Sequence, residues 1–171
     1  MKRINFLRSI ALFGVAVGFS IAGNTQDAPK SPAASATGKI GDATVTINYS
    51  SPAVKGRKVF GELEPFGKVW RAGADKATTF EVDKDVTVEG KMLPAGKYGF
   101  FVIPTEGDWT VIFNKVADQW GAFRYDQAQD VLRVTVKPTK SAALNERLAY
   151  VVNKNGIVLQ WENVDLPVAI K

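Results

Sequence analysis

Hydrophobic and polar residues alternate along most of the chain beyond residue 38, with the period of a β-strand. Ala43, Val45, Ile47 and Tyr49 alternate with Thr44, Thr46 and Asn48, which puts one face of an extended segment in a core and the other in water. Short strand patterns follow at residues 78–82 and 86–88, separated by the polar turn Asp83-Lys84-Asp85. Residues 97–103 place Tyr98, Phe100 and Val102 on one face and Phe101 and Ile103 on the other, so this strand is expected at the centre of the fold with both faces covered. Residues 109–114 are expected to pair with it across Glu106-Gly107-Asp108. Residues 131–137 alternate again, with Leu132, Val134 and Val136 inward, and stop at Pro138. Residues 148–152 and 157–162 flank Asn153-Lys154-Asn155-Gly156, the strongest hairpin signal in the chain, because Asn-Gly accepts the positive φ of a tight turn. A last strand around residues 164–170 carries Pro167, which suits an edge.

About eight or nine closely spaced strands without a convincing amphipathic helix predict an all-β fold, an antiparallel β-sandwich or a jelly-roll-like barrel. No fixed period repeats, which argues against a propeller or solenoid. Two long irregular stretches, residues 49–80 and 115–130, interrupt the strands, and long ordered loops are where function tends to sit.

Residues 1–38 carry no strand pattern. Lys2, Arg3 and Arg8 precede an apolar run over residues 10–22 that ends in Ser20-Ile21-Ala22, so residues 1–22 read as a signal peptide cleaved after Ala22. The run is short of the ~20 residues of a membrane span, and no stable span is expected after cleavage. Export to the periplasm or the extracellular medium follows. Residues 23–38, rich in Ala, Ser, Pro and Thr, read as a disordered spacer, leaving residues 39–171 as a single domain.

Cleavage changes the electrostatic picture. The signal segment holds three of the 22 Lys+Arg and none of the 17 Asp+Glu, so the net charge falls from +5 to 19 against 17, or +2. The basic balance therefore gives no ground for a nucleic-acid partner. The chain also has no Cys and no His. That removes disulfides, thiolate and imidazole chemistry and the ordinary zinc, copper and iron sites. No metal ligands, cofactor or catalytic residues are assigned, and the balance leans away from an enzyme.

The first long stretch holds the candidate chemistry. Its Gly61–Lys68 run, GELEPFGK, is no phosphate loop: the glycine spacing is wrong and Val69 follows the lysine where Ser or Thr is needed. A better constellation is Tyr49, Arg57, Trp70, Arg71 and Asp75. Arg offers a planar fork to a carboxylate, phosphate or sugar hydroxyl, Trp a flat apolar face, and Asp an acceptor, a set suited to clasping a polar small molecule or glycan. The competing reading has Arg71 paired with Asp75 or Glu62 to hold the loop shut while Trp70 plugs the core, and the need to satisfy a long loop's backbone favours it. In the second stretch Trp120, Phe123 and Tyr125 suggest sugar stacking, but burial as caps on the end of the sandwich is the stronger expectation.

From residue 39 to residue 170 the chain resembles the domain-of-unknown-function family 2911 of exported bacterial proteins. The resemblance rests on Tyr49-Ser50-x-Pro52, Lys55-Gly56-Arg57, Phe60-Gly61 and Val69-Trp70-Arg71-x-Gly73-Ala74, and continues through Ala77-Thr78-Thr79, residues 93–98 and residues 109–114. Ser51 stands where the pattern suggests Arg, and Asp75 where Asn is more typical. The family implies an exported β-domain and brings no activity with it. The expectation is a non-enzymatic binding or cell-envelope-associated module for a polar ligand such as a glycan. The alternatives are a His-free glycan hydrolase with Glu62 and Asp75 as its carboxylates, and a purely structural envelope protein.

Overall fold

The computed structural model describes residues 30–171, so the segment expected to be a signal peptide lies outside the described residues. Ten strands follow in order: β1 (Ala33–Ile40), β2 (Ala43–Ser50), β3 (Thr78–Val82), β4 (Val86–Val88), β5 (Lys91–Leu93), β6 (Gly96–Ile103), β7 (Trp109–Asn114), β8 (Asp130–Val136), β9 (Thr139–Asn153) and β10 (Gly156–Ala169). The only other regular element among the described residues is a 3₁₀ turn at Gln127–Gln129.

Six strands form one antiparallel sheet in the order β1-β2-β3-β6-β7-β8. β3 and β6 are neighbours because the chain between them folds aside as the β4–β5 hairpin. The long β9–β10 hairpin forms the second layer of a β-sandwich. Its Leu148, Tyr150, Ile157, Leu159 and Trp161 join Val45, Ile47, Phe80, Phe100 and Phe113 of the sheet in one buried core. This face burial is what period-two alternation encodes: each strand sends every second side chain inward.

β6 lies inside the sheet, as its two apolar faces predict. Tyr98, Phe100 and Val102 enter the main core. On the opposite face Phe101 and Ile112 are covered by Ala77, Val69, Ala122 and Tyr125 from the two long loops. Gly99 makes that cover possible: a Cβ there would stand 2.6 Å from the carbonyl oxygen of Val116, so only glycine lets the second loop lie on the sheet.

Three expectations need correction. Residues 33–38 are not spacer but most of β1, paired with β2 along its length from Ala33 opposite Ser50 to Ile40 opposite Ala43. Small Ala, Ser and Gly side chains hid an edge strand whose place is set by β2 and by Val152, which leaves no room for a Cβ at Gly38. β9 begins at Thr139 rather than Leu148, and the two segments expected at residues 157–170 are one strand broken by register shifts near Trp161 and Asn163. The β5 strand, only three residues long, carried no alternation signal of its own.

Candidate functional site

The stretch between β2 and β3 is tied down at its start. Val54 N donates to Glu146 O (2.7 Å), Leu148 N to Pro52 O (3.0 Å) and Ser51 Oγ to Leu148 O (2.7 Å), so residues 51–54 run beside β9. Arg147 Nη1 adds a bond to Ser51 O (3.0 Å). Ser51 is thereby a buried structural contact.

Further on, Trp70 and Val102 exchange both backbone hydrogen bonds (2.8 and 2.9 Å), while Thr78 pairs with Phe100. Trp70 and Thr78 thus occupy successive same-face rungs beside β6, and residues 71–77 loop out between them. The register sends Trp70 into the core beside Phe100 and Val102, where it is 3% exposed and its Nε1 donates to Gly73 O (3.1 Å). Ala72 carries the loop through a left-handed φ of 52°, a costly conformation for alanine. Two hydroxyls hold it there, Thr78 Oγ1 at 2.9 Å and Tyr150 Oη at 2.7 Å, both on the carbonyl of Ala72. Burial keeps the Tyr150 hydroxyl protonated, with a pKa well above its ordinary value. This clamp fixes the residue next to it, Arg71.

Arg71 borders a cavity of about 400 Å³ together with Arg57, Glu64, Gly73 and Trp161, with Lys30 and Lys55 at its margin. Two donors of this lining are buried without a partner, Arg71 Nε and Trp161 Nε1. An unmet buried donor carries a desolvation cost, ordinarily about 1–3 kcal/mol, and native structures hold few of them, so two on the residues of one cavity call for an explanation. Glu64 is the one carboxylate of the lining. Its backbone is held by Val59 O (2.9 Å) and Gly61 N (3.0 Å), and burial raises its pKa to about 7 although Arg71 and Arg57 pull the other way. No ion pair among the described residues joins Glu64 to either arginine. The cavity is therefore a basic recess with a carboxyl group poised to exchange a proton near neutral pH.

The five residues expected at one site are distributed differently. Arg57 and Arg71 meet in this cavity, but Arg57 already donates through Nε to Val54 O (2.9 Å) and Nη2 to Ala53 O (2.6 Å). Trp70 lies in the core. Tyr49 is half-buried, packs edge-on against Tyr150 at 4.7 Å and borders a separate recess of about 170 Å³. Asp75 is exposed, with φ of 58°, a conformation that Asp and Asn tolerate better than most side chains. The expected Arg71 pairing with Asp75 or Glu62 does not form; Glu62 faces Lys58 at 3.8 Å on the surface. Sequence reasoning did not select Glu64 or Trp161. Trp161 reads as one more inward residue of an alternating strand, and Glu64 as a loop charge.

The second loop, residues 115–130, is anchored from beneath. Asp130 accepts from Tyr125 Oη (2.6 Å), Arg133 Nη1 (2.8 Å) and Asn114 Nδ2 (2.8 Å), and Tyr125 packs on Phe101. Burial, then the Asp130 carboxylate, drives the Tyr125 pKa upward. Ala77 N donates to Gln119 O and Gly121 N to Asp75 O, both at 3.0 Å, which joins the two loops. Tyr125 is partly buried as expected, but Trp120 and Phe123 are not: they are 59% and 85% exposed. Tyr125 and Ala122 fill the space over Phe101 and Ile112, leaving no room there for the other two.

A family model described as "Protein of unknown function (DUF2911)" matches residues 31–170. No curated protein and no solved structure matches the chain.

Proposed function

The chain belongs to the DUF2911 family of proteins of unknown function, and we propose that it is a non-enzymatic binding module whose cavity at Arg71 takes a small polar ligand bearing a carboxylate or similar acceptor group, such as an acidic glycan. One observation carries this reading: Arg71 Nε and Trp161 Nε1 are buried donors without acceptors on the wall of one cavity. A carboxylate that reached these two donors would supply their missing acceptors, and Arg57, Lys55 and Lys30 supply the surrounding positive charge. The left-handed Ala72 and its two hydroxyl partners hold Arg71 in advance, which lowers the ordering cost of binding.

A glycan hydrolase with paired carboxylates draws less support. Such enzymes need two carboxyl groups about 5–10 Å apart across one cleft. Neither Glu62 nor Asp75 lines the cavity, where Glu64 stands alone among carboxylates. Export to the cell envelope accompanies the binding reading, and the N-terminus of the mature protein tests it: mass spectrometry of the secreted chain should find Gly23 first.

The binding test is a thermal-shift panel of uronic acids and small dicarboxylates. At least one should raise the melting temperature, and Arg71→Ala should abolish that rise while keeping the fold. A variant that no longer folds assigns Arg71 to the scaffold instead.

A further inference from the structure

A separate cavity of about 520 Å³ shares no lining residue with the one at Arg71. It is bordered by Lys76, Asp118, Gln119, Trp120, Phe123 and Arg124. Trp120 and Phe123 are exposed although the loop that carries them is tied to the sheet by Asp130, Gly99 and two inter-loop hydrogen bonds. Large aromatic surface held rigidly in water is characteristic of a contact face rather than of a mobile loop tip.

Gln119 supplies the second, independent observation. It is 8% exposed, and its Nε2 donates to Val116 O (2.8 Å), which settles the orientation of the amide. The oxygen Oε1 is then a buried acceptor with no partner. It calls for a hydroxyl or N–H donor. Lys76 Nζ lies 3.7 Å from Asp118 Oδ1, while Arg124 and the Arg71 guanidinium, whose Nη1 would stand 3.4 Å from a Cβ at Gly121, add N–H donors beside the aromatic rings. A ligand with an apolar face and a rim of hydroxyl groups, which both donate and accept, fits this chemistry.

We infer that this groove is a carbohydrate subsite, in which the indole face of Trp120 stacks on the C–H face of a sugar ring, Phe123 flanks it, and Gln119 Oε1 accepts from a ring hydroxyl. The inference rests on Gln119, Trp120 and Phe123 of the second loop and stands whether or not the Arg71 cavity binds an acid.

The test is titration of the mature protein with chitohexaose, cellohexaose and maltohexaose, followed by tryptophan fluorescence and calorimetry. At least one sugar should bind, Trp120→Ala should abolish binding, and Phe123→Ala should weaken it about tenfold. Trp120→Phe, which keeps a flat face, should bind more weakly than wild type but better than Trp120→Ala, and Met92→Ala, on a different exposed strand, should match wild type. The proposal falls if none of the three sugars binds at millimolar concentration, or if Trp120→Ala binds as well as wild type. It also falls if sedimentation shows the wild type self-associating and Trp120→Ala monomeric, for the patch then belongs to a second copy of the chain.

Discussion

Trp70 and Trp161 stack with ring centroids 5.6 Å apart and planes within 20° of parallel, yet only one of the two indole N–H groups has a partner. Trp70 gives its hydrogen to Gly73 O; Trp161 borders the cavity with Nε1 unmet. The two residues should therefore respond differently to substitution. Trp70→Phe leaves the buried Gly73 carbonyl without its indole donor in addition to losing volume, and should cost about 1–3 kcal/mol more in denaturant unfolding than the same change at Trp161. Trp161→Phe removes an unsatisfied donor along with some volume and should stay within about 1 kcal/mol of wild type while losing carboxylate binding. Equal losses of stability in both variants would show that Trp161 is only a core residue.

Glu64 should give the protein a pH dependence opposite in sign to that of a salt-bridged carboxylate. Its pKa is about 7 folded against 4.5 as the reference, so the folded state holds the proton more tightly. The contribution is fully present below pH 4.5 and is lost as pH rises through about 7. Unfolding curves measured across that window should decline with rising pH, and Glu64→Gln should flatten the decline. Carboxylate binding should tighten as Glu64 takes up its proton, since a neutral carboxyl no longer repels the ligand.

The clasp beneath the second loop should be separable from its exposed face. Asp130→Ala leaves Tyr125 Oη without its acceptor, Arg133 without its carboxylate partner and Asn114 Nδ2 with Asp126 O alone, and should cost about 2–4 kcal/mol. Gly99→Ala forces the Val116 carbonyl away from the sheet. In both variants amide exchange over residues 116–126 should accelerate while exchange within β2 and β3 stays slow, a pattern that hydrogen-exchange mass spectrometry reads directly.

A chain beginning at Lys39 should be less stable than one beginning at Lys30. It lacks residues 33–38 of β1 and bares the edge of β2. A loss of about 2 kcal/mol is expected from the missing cross-strand pairs, with a greater tendency to aggregate through the open edge. Equal melting temperatures would return residues 33–38 to the status of a spacer.

Much of the fold was legible in the pattern. Val45 and Ile47, the two-faced strand around Phe100 and Phe101, and the hairpin within residues 153–156 lie where the pattern puts them, although Lys154 and Asn155 make the turn and Gly156 is the first rung of β10, opposite Asn153. β1 was not legible, because Ala33, Ser35, Ala36 and Gly38 carry too little apolar surface to mark a face. Of the five candidate site residues, Arg57 and Arg71 border one cavity, whereas Trp70, Tyr49 and Asp75 do not. Their true positions follow from a register beside Val102, a ring packed on Tyr150 and a left-handed backbone, none of which a linear pattern contains.

By itself, then, the order of residues determined an antiparallel all-β fold, sandwich or barrel, without cysteine or histidine chemistry, and two long loops, because strand periodicity and turn residues act over a few neighbours along the chain. The tertiary structure alone decided which loop residues face a cavity. Arg71, Glu64 and Trp161 come together from a looped-out rung, a tight turn and a strand of the opposite layer, and the exposure of Trp120 follows from Tyr125 having filled the space beneath it. Such proximity arises from packing between segments far apart in sequence, where steric exclusion and unmet hydrogen bonds replace local pattern as the determinant.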